Sequence, residues 1–168
     1  AYVSQLRTDA NDANLVLAVP GIALENTNTE LVTNGTFDTG ISGWSAFNAT
    51  ISWDSLNQRI EINAPTEFDG VETSSGVSVS ASTNYTLEVD VNLGTAAGVR
   101  LQVRDSTNAS SLSSLDVSGS GTYAVNFASG SNTSVYIRLI TSGGNTGTAY
   151  FDNVSMKEAV AVRDYSAD

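Results

Sequence analysis

Glu88, Asp90 and Asn92 alternate along one nine-residue run, and Arg100, Gln102 and Arg104 along the next, so carboxylate, amide and guanidinium groups recur at every second position. That spacing puts each trio on one face of an extended strand. Planar polar side chains of these types can share hydrogen bonds with neighbouring hydroxyls. If the strands share a sheet, these residues form, together with Asn126, Tyr136 and Arg138, one polar patch suited to a hydroxyl-rich ligand. The same pattern also reads as the plain polar face of an antiparallel sheet, with Glu88 and Asp90 balancing Arg100 and Arg104 across strands. Trp53 and Phe68 are the aromatic rings free to stack on a pyranose, or else they fill the core. Carboxylate pairs also serve glycosidases, which need two carboxyls about 5–10 Å apart, one of them raised in pKa by an apolar pocket. An i, i+2 pair such as Glu88 and Asp90 on a solvent-facing strand leaves both ionised, so no catalytic residue is nominated.

Composition closes much of the remaining chemistry. The 168 residues contain no His and no Cys, which removes His-based nucleophile systems, His-ligated zinc or haem, thiol chemistry and disulfides. Seven Lys and Arg stand against 18 Asp and Glu, for a net charge of −11. Nucleic acid and anionic membrane surfaces are therefore not expected partners, since both are bound by clustered cations. The most apolar segment, Leu15 to Leu24, is too short to span a bilayer and is interrupted by Pro20 and Gly21. Ser, Thr and Asn make up 56 residues, the composition of a β-rich surface domain rather than of a metabolic enzyme. Six N-x-S/T sequons follow from that richness in Asn, Ser and Thr and do not establish a glycoprotein. The start at Ala1 fits removal of an initiator Met or trimming of a longer precursor.

These residues need strands to position them. Tyr85, Leu87, Val89, Val91 and Leu93 share one face of their run, as do Val99, Leu101 and Val103, then Tyr123, Val125 and Phe127, then Val135, Ile137 and Leu139. Weaker strands are expected at 30–33, 49–54, 59–63, 70–80, 112–117 and 148–157. No segment keeps a 3.6-residue period. The expected fold is all-β, an antiparallel two-sheet β-sandwich of roughly eight to eleven strands. Residues 1–29 read as an N-terminal arm or extra strand, 30–158 as the sandwich and 159–168 as a tail. Residues 14–24 are either part of that arm or one more strand.

Two motifs bracket the sandwich. Near its start stands Glu30-Leu31-Val32-Thr33-Asn34-Gly35-Thr36-Phe37-Asp38-Thr39-Gly40-Ile41-Ser42-Gly43-Trp44, and at its end Ala149-Tyr150-Phe151-Asp152-Asn153-Val154-Ser155-Met156-Lys157. As a pair, in this order and spacing, they resemble the opening and closing strands of the family 4, 9 and 22 carbohydrate-binding modules. The resemblance implies a jelly roll over about residues 30–158 that binds sugars in a cleft on one sheet or at the edge loops. It also implies a structural calcium ion tying the first strand to the last, with Asp38 and Asp152 at the acidic ligand positions and backbone carbonyls such as those of Asn34 or Thr36 completing the shell. Asp38 is shorter than the Glu common at its position, and Asn153 replaces a frequent second Asp. The alternative is that both aspartates accept only local hydrogen bonds.

Tyr2-Val3-Ser4-Gln5-Leu6-Arg7-Thr8-Asp9 resembles short segments of tailed-bacteriophage structural proteins. The expectation is thus a non-catalytic virion surface protein, a head decoration (cement) protein or a tail component. Its arm would contact capsid or tail proteins, many copies or a homo-oligomer would decorate a particle, and its jelly roll would bind glycans. The alternative is a binding module of a secreted polysaccharide-degrading system. The expected glycan contacts are Arg100, Gln102, Arg104, Glu88, Asn92, Tyr136, Arg138 and Trp53.

Overall fold

The computed structural model describes residues 29–159, an all-β chain of eleven strands with no helix among those residues. In the first antiparallel sheet, β1 (Trp44–Phe47), β4 (Gly70–Thr73), β10 (Ser134–Thr141), β7 (Val99–Arg104) and β8 (Ser111–Val117) lie side by side in that order, and the two-residue β5 (Val77–Ser78) also pairs with β10. The second runs β2 (Thr50–Asp54), β3 (Arg59–Ala64), β11 (Gly147–Glu158), β6 (Asn84–Leu93) and β9 (Gly121–Ala128).

Alternation of β-branched and polar residues drives both sheets, because each strand has one apolar face to bury. Ile60 and Ile62 of β3, Leu87 and Val89 of β6, and Phe151 and Met156 of β11 are fully buried, as are Val71, Leu101, Val103, Ile137 and Leu139 from the opposite sheet. The expected segment 70–80 divides into β4 and β5. Residues 30–33 are not a strand, although the Leu31 N–H donates to the Met156 carbonyl at 3.1 Å alongside β11. The segment 2–9, the alternatives for 14–24 and the tail beyond Ala159 lie outside the described residues.

The opening and closing motifs dock on each other. The Val154 N–H donates to the Gly35 carbonyl at 2.9 Å, and a Cβ on Gly35 would collide with the Val154 carbonyl, so glycine is required there. Glu30 accepts from the Met156 N–H at 2.9 Å and from the Ser155 hydroxyl at 2.5 Å, tethering the start of the domain to its last strand. Phe37, fully buried with φ of 48°, packs at 5.5 Å from Trp44, whose indole N–H donates to the Asn34 carbonyl. A bulky residue in this left-handed region is uncommon; here the enclosing contacts hold it.

Candidate functional site

The register of β10 against β7 aligns Tyr136 with Arg104, Arg138 with Gln102, and Ile140 with Arg100. Their inward neighbours Val103, Leu101 and Val99 are buried in the core, so the polar partners share the outer face of the first sheet. Five of the expected glycan contacts, Arg100, Gln102, Arg104, Tyr136 and Arg138, are thus brought together. Glu88 and Asn92 are not: β6 belongs to the opposite sheet, and their side chains point away on the other side of the sandwich. The expected ladder of Glu88 and Asp90 against Arg100 and Arg104 is corrected for the same reason. Strands β6 and β7 are consecutive in the chain, yet the connection between them crosses from sheet to sheet. Trp53 lies on β2 at the edge of the second sheet, 40% exposed, and its indole N–H donates to the Phe37 carbonyl at 2.8 Å.

The arginines of the first face find their partners elsewhere. Arg100 makes a bidentate pair with Asp116 of β8 at 2.6 and 2.8 Å, and Arg138 donates through both Nε and Nη2 to the single Oε2 of Glu72 on β4 at 2.9 and 2.7 Å. The Arg138 guanidinium stacks 3.7 Å over Phe47, and that of Arg100 lies 5.0 Å from Phe68. Phe68, with φ of 63°, is held by its own N–H on the Thr141 carbonyl. Arg104 donates to the Asn108 carbonyl and side-chain oxygen, the Ala109 carbonyl and the Gln102 amide oxygen, which fastens the turn after β7 down onto the sheet. Asn108 in turn donates to Glu72 at 3.1 Å. Burial, reinforced by the nearby Arg138 charge, holds the Arg104 guanidinium below its usual range, and the Asp116 pair raises that of Arg100.

The floor of this face is consequently dry for an outward surface: Gln102 and Arg138 are each 8% exposed and Ile140 4%. Phe47, Glu72, Asn108 and Asp116 belong to it but were not foreseen. Alternation in the VET run was a signal for Glu72. No sequence signal indicated that the turn carrying Asn108 would fold back over the sheet.

On the second sheet, Arg59, Tyr150, Asp152, Asp90, Asn92 and Thr122 line an open groove of about 460 Å³. Arg59 stacks 3.8 Å over the Tyr150 ring and is held by Asp54 at 2.7 Å, which Asn57 steadies in turn. Asp152 and Asp90 are direct cross-strand partners. Burial pushes the Asp152 carboxyl upward, helped by the charges of Asp90 and Asp38 and opposed by the Asn153 N–H and by Arg59.

The calcium expectation can be set against these donors. A calcium ion takes six to eight oxygens. Among the described residues no three acidic side chains gather into a metal-holding group. Asp38 accepts the Thr36 hydroxyl at 2.8 Å, Asp152 accepts the Asn153 N–H at 2.7 Å, and the Asn34 carbonyl is engaged by Trp44. Asp38 and Asp152 each keep one carboxylate oxygen outside these bonds, so a calcium ion held there would draw its remaining oxygens from backbone carbonyls.

No protein-family model matches the chain, and no curated protein does. Solved structures do match in fold. A family 4 carbohydrate-binding module superposes with a TM-score of 0.61 at 16% identity, covering 76% of this chain and 99% of that one. The tandem family 22 modules of Xyn10C from Paenibacillus barcinonensis give 0.63 at 12% identity, covering 88% and 50%. The enzymatically active domain of tailspike protein 4 from bacteriophage CBA120 gives 0.55 at 14% identity, covering 77% and 21%. A cyclase from Fischerella sp. TAU shares the fold as well. The chain therefore has the jelly-roll sandwich fold that these carbohydrate-binding modules share. At these identities the likeness defines the fold alone, and the function has to be argued from the site.

Proposed function

We propose that this protein is a non-catalytic glycan-recognition module whose binding face is the outer face of the first sheet. The observation that carries this reading is the convergence of Arg100, Gln102, Tyr136 and Arg138, flanked by Phe47 and Phe68, on one largely dry face. Planar groups locked in place by their own hydrogen bonds lose little freedom when a sugar docks, which favours binding. Arg104 and Asn108 shape the face by holding its covering turn. The acetal bonds of a sugar are left untouched, because the two carboxylates of this face, Glu72 and Asp116, are each tied to an arginine, Arg138 and Arg100.

Affinity electrophoresis through gels carrying soluble β-glucans, xylans or bacterial surface polysaccharides tests the reading. At least one polysaccharide should retard the wild type without losing reducing ends, and Arg100→Ala should migrate freely. Arg100 lies at the rim, so its loss spares the core. Equal retardation of both proteins, or release of sugar, overturns the proposal.

For the biological setting, a virion surface is supported by the phage tailspike among the fold neighbours and by the segment 2–9. A secreted polysaccharide-degrading system is supported by the xylanase modules. Deleting residues 1–24 separates the two. On a particle the truncated protein should fail to attach while keeping its sugar binding; unchanged attachment counts against the virion reading.

A further inference from the structure

The groove on the second sheet is a site that the first face does not explain. Its volume of about 460 Å³ falls within the usual range of small-ligand pockets, roughly 300–1,000 Å³. One wall is the Arg59–Tyr150 stack, made rigid by the chain Arg59–Asp54–Asn57. The opposite wall carries the hydroxyls of Ser120 and Thr122.

A β-bulge shapes the floor. The register of β11 on β6 shifts between Asp152 and Ser155, where Asn153 has φ of 47°. The bulge lets Asn153 bond Asp90 at 2.8 Å from the same face on which Asp152 already opposes Asp90. Bulges often re-aim side chains beside binding sites. Two like charges directly opposite on paired strands are unfavourable, so the sheet carries this arrangement at a cost in stability. Asp90 is steadied by Thr122 and Asn153. By contrast, the Asn92 amide, the Tyr150 hydroxyl, the second Asp152 oxygen and the terminal Arg59 nitrogens make no hydrogen bond among the described residues. These are donors and acceptors at short spacing in a concave, walled place, unlike the first face, where the guanidinium groups are tied to protein partners.

We infer that this groove is a second, independent sugar-binding site, selective for a neutral pyranose unit presenting adjacent hydroxyls. Asp152 accepts from the hydroxyl pair, Asn92 both donates and accepts, and the flat Arg59–Tyr150 wall lies along the ring. Arg59 is already neutralised by Asp54, so Asp90 and Asp152 leave the groove negative and exclude uronates. The inference shares its ligand class with the proposed function but not its face.

Amide chemical-shift mapping of the full chain distinguishes the two. The probes are the methyl glycosides of glucose, galactose, mannose and xylose, with methyl glucuronide as the charged comparison, at millimolar concentrations. At least one neutral glycoside should move amides at 57–59, 90–92, 120–122 and 150–152, and glucuronide should not. Asn92→Ala, at an exposed position, and Asp152→Asn, which keeps the shape, should each weaken that response by about fivefold or more, the effect of one lost hydrogen bond. Arg100→Ala should leave it unchanged. Shifts confined to β4, β7 and β10 overturn the second site while leaving the first; shifts confined to the groove do the reverse. No shift at either surface, or glucuronide binding in the groove, overturns the second site.

Discussion

Gly35 shows how much a single residue can decide. Its carbonyl receives the Val154 N–H, and its missing side chain is the space that the Val154 carbonyl fills. Gly35→Ala should therefore cost about 1–3 kcal/mol through overpacking against backbone, read as a lower denaturation midpoint with an unchanged slope. An alanine variant as stable as the wild type would mean that the two motifs do not depend on this contact. The motif residues, Glu30 among them, were legible as a pair in the chain, but the part Glu30 plays in closing the domain was not. Its three hydrogen bonds reach Val32, Ser155 and Met156, and the last two lie 125 and 126 positions away. Nothing local distinguishes such a carboxylate from a solvated one.

Period-2 alternation told which side of each strand faces the core and was silent on which sheet the strand joins. Val99, Leu101 and Val103 were correctly placed inside, and Arg100, Gln102 and Arg104 outside. The polar face of β6 lies on the other sheet, because β6 and β7 are neighbours in the chain but not in a sheet. Five of the eight expected contacts assemble on one face, whereas Glu88, Asn92 and Trp53 belong to the opposite sheet.

The β7–β8 hairpin has its own pH signature. The Arg100 guanidinium holds Asp116 below the ordinary carboxylate range, and Asp105 is likewise lowered, chiefly by the Ala109 N–H and the Thr107 hydroxyl within the turn. For depressed carboxylates the stabilisation is complete above the unfolded value, about 3.9, and disappears as pH falls through the lower folded value. Hydrogen exchange at 111–117, compared at equal intrinsic rate between pH 6 and pH 3 (about two units above and one below that value), should show the hairpin loosening in acid. Asp116→Asn should flatten the dependence. A hairpin equally protected at both pH values would mean that these ion and amide contacts add nothing to β8.

For the whole molecule, stability should rest on the sandwich core rather than on an ion. The thermal midpoint should be the same with calcium and with excess chelator; a rise with calcium would show that Asp38 and Asp152 recruit oxygens into a cage that their present hydrogen bonds do not suggest. The charge distribution supports a further distinction between the surfaces. The first face gathers three arginines of a chain with only seven cationic residues, whereas the groove behind it is lined by Asp90 and Asp152.

Thr29 and Glu158 line the same hollow at one end of the sandwich, and Leu31 is bonded to Met156. Entry and exit of the described chain thus share a pole. A bead threaded at a single point can be spliced into a surface loop of another protein without either broad flank being blocked.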